Sequence, residues 1–321
     1  MQLLVADIGG TNARVALCTV HRGSPKGMPR VVLGQMQVFS CKNFKRFSHL
    51  LEAVATTFAL GGQQQARSLH GVCIAAAGPV VRGTCRMSNL PWVITPGAVQ
   101  KTLGGQGAQP PVFVINDFTA QAHAAFILQQ LEAARLFSGV PQRHAPLAVA
   151  GAGTGFGKAL AVPLHRLVLP SEGGHTSFPF EEEEEFAFAH YLRKRTGRVP
   201  VGDTVLSGSG FAALHTFFTG QEATPQEACA ALPGNPMVLE WFARFYGRYC
   251  RNYVLDTLAL QGLVVTGGVA AKVPFLQHPT FLGTFYTNDK QEALLRRVPV
   301  WHLHDGRSGL AGAAVYAALK L

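Results

Sequence analysis

Residues 6–14 read ADIGGTNAR, and this stretch decides how the chain begins to fold. It joins the apolar run LLVAD (residues 3–7) to ARVAL (residues 13–17), which predicts two strands connected by a glycine turn. A carboxylate at the end of a buried strand, followed by two glycines and a threonine, places several backbone N–H groups and a hydroxyl around one small volume. Phosphate oxygens are bound in this way. An ordinary hairpin turn is the alternative interpretation.

A second hairpin is predicted where residues 147–164 read LAVAGAGTGFGKALAVPL. Its turn, GAGTGFG (151–157), does not match a Walker A loop because Ala152 and Ala159 replace the required residues, and Phe156 breaks the dinucleotide-binding pattern. The bare amides and the hydroxyl of Thr154 still suit a phosphate, although a flexible turn is the alternative. Two similar hairpins, each opening a half rich in strands and helices, indicate a duplicated core with a cleft between the copies.

The remaining pattern alternates helices and strands. Helices are expected at about 44–60, ended by Gly61 and Gly62, and at 118–137, 181–195, 237–260 and 308–320; strands are expected at 71–81, 111–117 and 262–270. The run EEEEE at 181–185 precedes basic residues 193–195, which matches the helix dipole and indicates a solvated helix start. His302, His304 and Asp305 are expected to be surface polar groups.

Composition excludes several classes of protein. With 321 residues, 48% of them hydrophobic and 14% charged, the chain is expected to form two domains or one two-lobed α/β body. The net charge is +10, but the basic residues are dispersed, so no nucleic-acid partner is expected. No apolar run approaches the roughly 20 residues of a membrane span, and the N-terminus lacks a signal sequence. Six cysteines without a C-x-x-C pair indicate reduced thiols in a cytoplasmic protein.

Several polar residues are candidates for chemistry. Asp7 is suited to hold Mg²⁺ through water, because that ion keeps much of its hydration shell. Asp117 follows Asn116 at the end of a predicted strand, where it would accept the proton of a hydroxyl that attacks phosphorus, or else cap the next helix. Glu172 and His175 in PSEGGHTSF (170–178) are apt for vicinal sugar hydroxyls, with a solvated loop as the alternative.

Together, ADIGGTNAR, NDFTA (116–120), GAGTGFG, PSEGGHTSF, VLSGSG (205–210) and VVTGGVA (264–270) resemble the bacterial glucokinases of the ATP-dependent, proteobacterial type, in both order and spacing. The resemblance runs from about residue 3 to the C-terminus. It implies an α/β, two-domain actin-like (ribonuclease H-like) sugar kinase fold with a central interdomain cleft. The small domain would comprise residues 1–110 with the C-terminal helix, 300–321, returning to it, and the large domain would comprise 111–299.

The resemblance also implies site residues and partners. ATP would be bound with Mg²⁺ by Ala6, Asp7, Ile8, Gly9, Gly10, Thr11, Gly153, Thr154, Gly155, Gly267 and Gly268. Glucose would be bound by Asn116, Asp117, Glu172, His175 and Asp203, with Asp117 as the base that acts on the 6-hydroxyl. Asp203 departs from the family, which usually has a glutamate there. A cytoplasmic homodimer acting in glycolysis is the implied context.

Three alternatives remain. A kinase for fructose, mannose or an N-acyl hexosamine would use the same motifs. A sugar-responsive regulator of the repressor/kinase family would need a DNA-binding helix-turn-helix, yet the first core strand begins at residue 3. An actin-like chaperone or structural ATPase would leave Glu172 and His175 without a role.

Overall fold

The computed structural model describes residues 1–23, 27–60, 69–103 and 109–321, so the expected helix end at Gly61 and Gly62 lies outside the described residues. The fold is α/β, as predicted. The chain divides into two compact units: unit 1 comprises Met1–Glu132 and Asp305–Leu321, and unit 2 comprises Ala133–His304. Unit 1 thus continues past residue 110, because the strand that ends at Asn116 pairs within the first sheet.

Unit 1 is built on a sheet with the strand order β3-β2-β1-β5-β9, and β4 also pairs with β2. Its strands are β1 (Gln2–Ile8), β2 (Asn12–His21), β3 (Arg30–Leu33), β4 (Gln37–Ser40), β5 (Gly71–Ala76) and β9 (Val112–Asn116). The short strands β6 (Val80–Val81), β7 (Thr84–Arg86) and β8 (Val93–Ile94) form a separate sheet. β1 pairs antiparallel with β2, as the predicted hairpin requires, and parallel with β5.

Unit 2 repeats this arrangement with the order β10-β15-β14-β11-β12-β13. Its strands are β10 (Ala133–Phe137), β11 (Leu147–Ala152), β12 (Phe156–Val162), β13 (Leu167–Ser171), β14 (Gly262–Thr266) and β15 (Val300–Leu303). β11 pairs antiparallel with β12, the predicted second hairpin, and parallel with β14, as β1 does with its own neighbours. Each unit therefore contains three antiparallel strands continued by two parallel ones, which is the expected duplication.

Within the described residues, α-helices alternate with the strands of both units. They are α1 (Phe47–Thr57), α2 (Pro96–Leu103), α3 (Asp117–Ala124), α4 (Glu183–Thr196), α5 (Gly202–Leu206), α6 (Gly208–Thr219), α7 (Pro225–Ala230), α8 (Pro236–Thr257), α9 (Pro279–Tyr286), α10 (Glu292–Leu295) and α11 (Ser308–Lys320). In the described part of the chain, no helix combines the length and apolar character that a membrane crossing needs.

Alternation along β1 sends its side chains into two separate cores. Leu3 and Val5 pack with apolar residues of α11, whereas Leu4, Ala6 and Ile8 pack in the core that α1 and α2 complete. Successive side chains of a strand point to opposite faces, so a strand buried on both faces must be apolar almost throughout. LLVADI meets that requirement, and only Asp7 interrupts it.

One predicted helix is wrong in its second half. The helix expected over 118–137 ends at Ala124, a 3₁₀ segment follows over Ala125–Gln130, and Ala133–Phe137 is the strand β10. Ile127 leaves helical geometry with φ −123° and ψ 32°. β10 pairs antiparallel with β15, and this long-range pairing outweighs the local preference of an alanine-rich segment for helix.

The acidic run at the start of α4 is not simply solvated, which corrects the expectation from its charge pattern. The side chain of Glu185 is fully buried, and Arg248 of α8 donates to it from Nη2 at 3.0 Å. Arg251 donates to Glu181 at 2.6 Å. A buried carboxylate and guanidinium depend on each other, because the loss of either partner leaves an uncompensated buried charge.

His302 and Asp305 are also buried, at 8% and 5% exposure, so the expectation of surface polar groups holds only for His304. Asp305 Oδ1 accepts from the backbone N–H of Arg307 at 2.8 Å, and its own N–H donates to the carbonyl of Glu132 at 3.2 Å. Burial raises the pKa of Asp305, but hydrogen bonds from Arg307 outweigh it, and the pKa lies below its usual value. Asp305 thereby ties the two segments of unit 1 together.

Gly312 allows α11 to lie against α3 with almost no space between the backbones. A Cβ at position 312 would lie 1.8 Å from the carbonyl oxygen of Ala120, far inside van der Waals contact. The Gly312→Ala variant should therefore lower the midpoint of urea unfolding, with a loss of about 1 to 3 kcal/mol typical of overpacked sites.

Gly283→Ala in α9 is the matched control, because a Cβ at 283 meets nothing within 4 Å. It should raise stability by up to about 1 kcal/mol through helix propensity. Equal urea midpoints for the two variants would contradict the close packing at Gly312.

Candidate active site

The first glycine turn connects β1 to β2 and is held by backbone hydrogen bonds. The N–H of Gly9 donates to the carbonyl of Asn12 at 2.9 Å, and the N–H of Cys41 donates to the carbonyl of Thr11 at 2.8 Å. The side chain of Thr11 is exposed, whereas those of Ala6 and Ile8 are buried. Ala6 and Ile8 therefore offer a ligand only their backbone.

Asp7 is the acidic residue of this turn region, and its side chain is 17% exposed. Its Oδ2 lies 3.8 Å from Nη1 of Arg14, a partner that the sequence pattern did not single out. Burial raises the pKa of Asp7, and the Arg14 charge opposes that rise only partly. The first turn of α11 also approaches closely, because a Cβ at Gly309 would lie 2.6 Å from Oδ2 of Asp7.

The residues around Asp7 fit one particular way of holding Mg²⁺. In the described ranges there is no group of three or more His, Cys, Asp or Glu side chains that could form a protein-only metal cage. Mg²⁺ commonly binds through one or two carboxylates, several waters and the phosphates of its nucleotide. A single partly exposed carboxylate beside an amide-rich turn suits that mode.

Asn116 and Asp117 lie where β9 passes into α3. Asn116 is the helix cap, because its Oδ1 accepts from the N–H groups of Phe118 at 2.9 Å and Thr119 at 3.3 Å. Its Nδ2 donates to the carbonyl of Gly78 at 3.1 Å, which fixes the amide orientation. Asp117 is the first residue of the helix, and its Oδ1 accepts from Phe118 at 3.0 Å. Asn116 is thus the capping residue, and Asp117 occupies the first position of the helix.

The parallel register places Asp7 and Asn116 at the same edge of the sheet. Asp7 is the partner of Ala75 in β5, and the next residue of β5, Ala76, is the partner of Asn116 in β9. Two strand spacings of 4.7–4.9 Å separate β1 from β9, so these backbone positions are about 10 Å apart. Unit 1 therefore brings its predicted nucleotide and sugar residues to one edge.

In unit 2, the second glycine turn joins β11 to β12 and carries the exposed residue Thr154. The N–H of Gly153 donates to the carbonyl of Gly155 at 2.8 Å. Gly267, with φ +96°, packs against this hairpin so tightly that a Cβ there would lie 2.5 Å from the carbonyl oxygen of Ala152. Gly268 follows directly and is open on its Cβ side. The predicted glycines of the two segments are therefore neighbours.

Asp203, in α5, holds the end of the same turn. Its Oδ1 accepts from the N–H of Phe156 at 2.7 Å, and this oxygen would lie only 2.2 Å from a Cβ at Gly155. Among the residues that the structure describes, the other carboxylate oxygen of Asp203 accepts no hydrogen bond. The shorter side chain is thus fixed to the turn by one oxygen.

A 3₁₀ turn, Gly173–His175, follows β13; Glu172 directly precedes it and His175 ends it. Nε2 of His175 is 3.6 Å from Oε2 of Glu172, and the side chains are 64% and 69% exposed. The turn rests on the second hairpin, because a Cβ at Gly174 would lie 1.9 Å from the carbonyl oxygen of Phe156. The backbone of Phe156 therefore contacts Asp203 through its N–H and Gly174, in the turn next to Glu172 and His175, through its carbonyl.

The sequence pattern did not single out Tyr249, whose side chain supports the Gly173–His175 turn. The hydroxyl of Tyr249 in α8 donates to the carbonyl of Gly173 at 2.6 Å and lies 3.0 Å from Oγ1 of Thr176. Lys158 of β12 lies above the same ring, with Nζ 3.9 Å from its centroid. The sequence contains a hint only of Lys158, which is a single charged residue in the otherwise apolar strand FGKALAV.

Comparison with known proteins decides the family. The chain matches the sequence model described as Glucokinase over residues 4–320. It is 34% identical over 328 residues to a glucokinase from Pseudomonas paraeruginosa, an alignment that covers 97% of this chain and 91% of that protein.

This chain belongs to the glucokinase family.

Solved structures agree with that assignment. A glucokinase from an Antarctic psychrotroph is 27% identical, with a TM-score of 0.79 and 99% of both chains covered. A ROK family glucokinase from Streptomyces griseus, solved in complex with glucose and AMPPNP, shares the fold at 18% identity, with a TM-score of 0.60, covering 99% of this chain and 100% of that one. The predicted glucokinase resemblance and the predicted fold class are confirmed.

Lys158 lowers the stability of the folded chain, because its charged side chain is only 6% exposed. Burial lowers the pKa of Lys158 from 10.5 to about 8, although Cys250 and Asp256 of α8 favour the charged form. Below pH 8 the lysine is protonated in both the folded and the unfolded chain, and the folded chain bears the cost of the buried charge. Between about pH 8 and 10.5 the folded chain loses the proton first, so stability rises with pH.

Lys158→Met should therefore raise the free energy of unfolding at pH 7, by on the order of 1 to 3 kcal/mol. Its advantage over the wild type should shrink as the pH increases from 8 to 10. Thermal unfolding at pH 7, 8, 9 and 10 measures both effects. Lys194→Met, at an exposed position of α4, is the control and should change little at any pH. A lower unfolding temperature for Lys158→Met at pH 7 would contradict a net cost of burial.

Proposed function

We propose that this chain transfers the γ-phosphoryl group of ATP to the 6-hydroxyl of D-glucose, which yields glucose 6-phosphate and ADP. Membership of the glucokinase family supports the reaction, and glucose with AMPPNP in the Streptomyces griseus glucokinase supports the pair of substrates for the family fold. The observation that carries the chemistry is the placement of Asp117 at the junction of β9 and α3, with helix capping assigned to Asn116.

Backbone amides and small residues serve the triphosphate in this proposal. The N–H groups of Gly10, Thr11, Thr154 and Gly155 would donate to phosphate oxygens, whereas those of Gly9 and Gly153 are bound within their own turns and fix the turn shape. Gly268, which is open on its Cβ side, would leave room for the adenosine, and Gly267 would flank it. Mg²⁺, held through water by Asp7, would supply positive charge to the phosphate oxygens. Phosphoryl transfer depends mainly on such positioning and charge stabilisation.

The sugar is recognised by groups that differ in hydrogen-bonding capacity. Glu172 accepts only, His175 donates from one ring nitrogen and accepts at the other when neutral, and Asn116 can donate the Nδ2 hydrogen that does not bind Gly78. Asp203 presents the carboxylate oxygen that does not bind Phe156. This mixture of donors and acceptors suits the hydroxyl groups of a pyranose, each of which can donate one hydrogen bond and accept others.

Asp117 acts as the general base. As the 6-oxygen forms its bond to the γ-phosphorus, its proton passes to the Asp117 carboxylate, and the bond from the γ-phosphorus to the bridging oxygen of ADP breaks. The backbone N–H of Phe118 donates to Oδ1 of Asp117 and so orients the carboxylate. The helix start also places amide dipoles beside this group.

The cellular setting is part of the proposal. All six cysteines of the chain are free thiols, which is compatible with the reducing cytoplasm. A cytoplasmic homodimer that works at the entry of glucose into glycolysis is what the family resemblance suggests.

Purified protein with Mg-ATP should phosphorylate glucose with a higher kcat/KM than fructose, mannose or N-acetylglucosamine, as measured by ADP release. EDTA in excess should abolish turnover, and Mg²⁺ should restore it. A higher kcat/KM for another hexose would replace glucose as the substrate, and ATP hydrolysis at the same rate with and without sugars would contradict the sugar kinase function.

Asp117→Asn should lower kcat by about 10²- to 10⁴-fold, because the amide cannot accept the proton. Its carbonyl oxygen can still accept from Phe118, so the thermal unfolding temperature should stay within a few degrees. Asp289→Asn, at an exposed position outside the proposed site, is the matched control and should keep wild-type kinetics. Undiminished turnover by Asp117→Asn would refute its role as the base.

A further inference from the structure

Lys158 is a buried cation that the proposed phosphoryl transfer does not use. Its Nζ lies 3.9 Å from the ring centroid of Tyr249 and 4.7 Å from that of Tyr253, both on α8. Within the described ranges, no carboxylate lies within ion-pair distance of this ammonium group. The charge is therefore compensated mainly by two aromatic faces.

The lysine lies directly against the turn that carries the sugar residues. A Cβ at Gly173 would lie 3.2 Å from Cδ and 3.7 Å from Nζ of Lys158. In β12, Lys158 is the register partner of Ser171, whose Oγ accepts from the N–H of Gly173 at 3.0 Å. The methylene chain and the ammonium group thus support the turn from the sheet.

Tyr249 provides the connection between this cation and the turn. Its hydroxyl donates to the carbonyl of Gly173, and Thr176 Oγ1 donates to the same carbonyl at 2.9 Å. A cation over an aromatic face is attracted by the ring electrons and polarises the phenol toward a stronger O–H donor. Lys158 therefore strengthens the hydrogen bond that fixes Gly173.

A buried charge that lowers stability needs a compensating benefit, since strained or costly groups concentrate where function depends on them. Replacement by an apolar residue of similar length would remove the cost. The position of the charge, beside Gly173 and over the ring of Tyr249, indicates what the benefit is.

We propose that Lys158 is a positioning residue for sugar recognition, which acts through Tyr249 to hold the Gly173–His175 turn so that Glu172 and His175 face the hexose. This inference rests on the proposed function, because it assigns a role within the same sugar site. It adds a residue that touches neither substrate.

Steady-state kinetics of Lys158→Met, Tyr249→Phe and the double variant test the inference. Each single variant should raise the KM for glucose about 5- to 10-fold, the effect of one lost hydrogen bond, with kcat and the KM for ATP within twofold of wild type. The double variant should be no worse than the single ones, because both remove the same connection. The proposal would be overturned if the increase in KM for glucose of the double variant equalled the product of the two single increases. It would also be overturned if Lys158→Met left the KM for glucose unchanged.

Tyr253→Phe is the matched control. Its ring also lies under the lysine, but among the described residues its hydroxyl has no hydrogen-bond partner. It should leave the KM for glucose unchanged. A KM increase equal to that of Tyr249→Phe would show that aromatic packing, and not the hydroxyl of Tyr249, is what matters, and would overturn the proposed connection.

A second measurement separates failure of this inference from failure of the proposed function. Amide hydrogen exchange of peptides covering residues 171–178 needs no substrate, and it should be faster in Lys158→Met than in wild type even though the variant is the more stable protein. Unchanged exchange would overturn the positioning role whatever the sugar. If the wild type prefers another hexose, glucose is replaced by that sugar in the kinetic test and the same outcomes apply.

Discussion

The register of parallel strands is the constraint on which both halves of the molecule depend. In each unit a hairpin pairs with a parallel neighbour, so the carboxyl ends of β1, β5 and β9, and of β11 and β14, finish at one edge of their sheet. Polar residues at those ends are fixed by ladders of backbone hydrogen bonds. The apolar strands themselves, buried on both sides, give this framework its rigidity.

Close approach of backbones explains why glycine recurs at this edge. Gly174 touches the carbonyl of Phe156, and Gly267 touches that of Ala152, at distances that exclude any side chain. In unit 2 this brings the glycine turn, Asp203 and the turn of Glu172 and His175 around the backbone of one residue, Phe156. The N–H of Phe156 donates to Asp203, and its carbonyl oxygen lies against Gly174, so the positions of the two loops depend on the same backbone segment.

Local signals predicted the hairpins, the α/β class and the closing helix, because glycine turns and apolar alternation act within a few residues. Part of the candidate site, such as Asp203 and Gly267, was implied only by the family resemblance. Long-range partners could not be read in this way. Glu185 pairs with Arg248, 63 residues away, and so became a buried ion pair inside what looked like a solvated acidic run. Tyr249 reaches Gly173 across 76 residues. Residues 133–137, predicted as the end of a helix, form β10 because they pair with the distant strand β15.

The order of the chain also bears on how the protein is made. Unit 2 is one continuous segment, Ala133–His304, whereas unit 1 needs the last seventeen residues, Asp305–Leu321, because α11 covers Leu3 and Val5 on one face of the first sheet. Domains usually form in the order in which they leave the ribosome. Here the half that is translated first is completed only once residues 305–321 have been made, and until then one apolar face of its sheet lacks the helix that covers it.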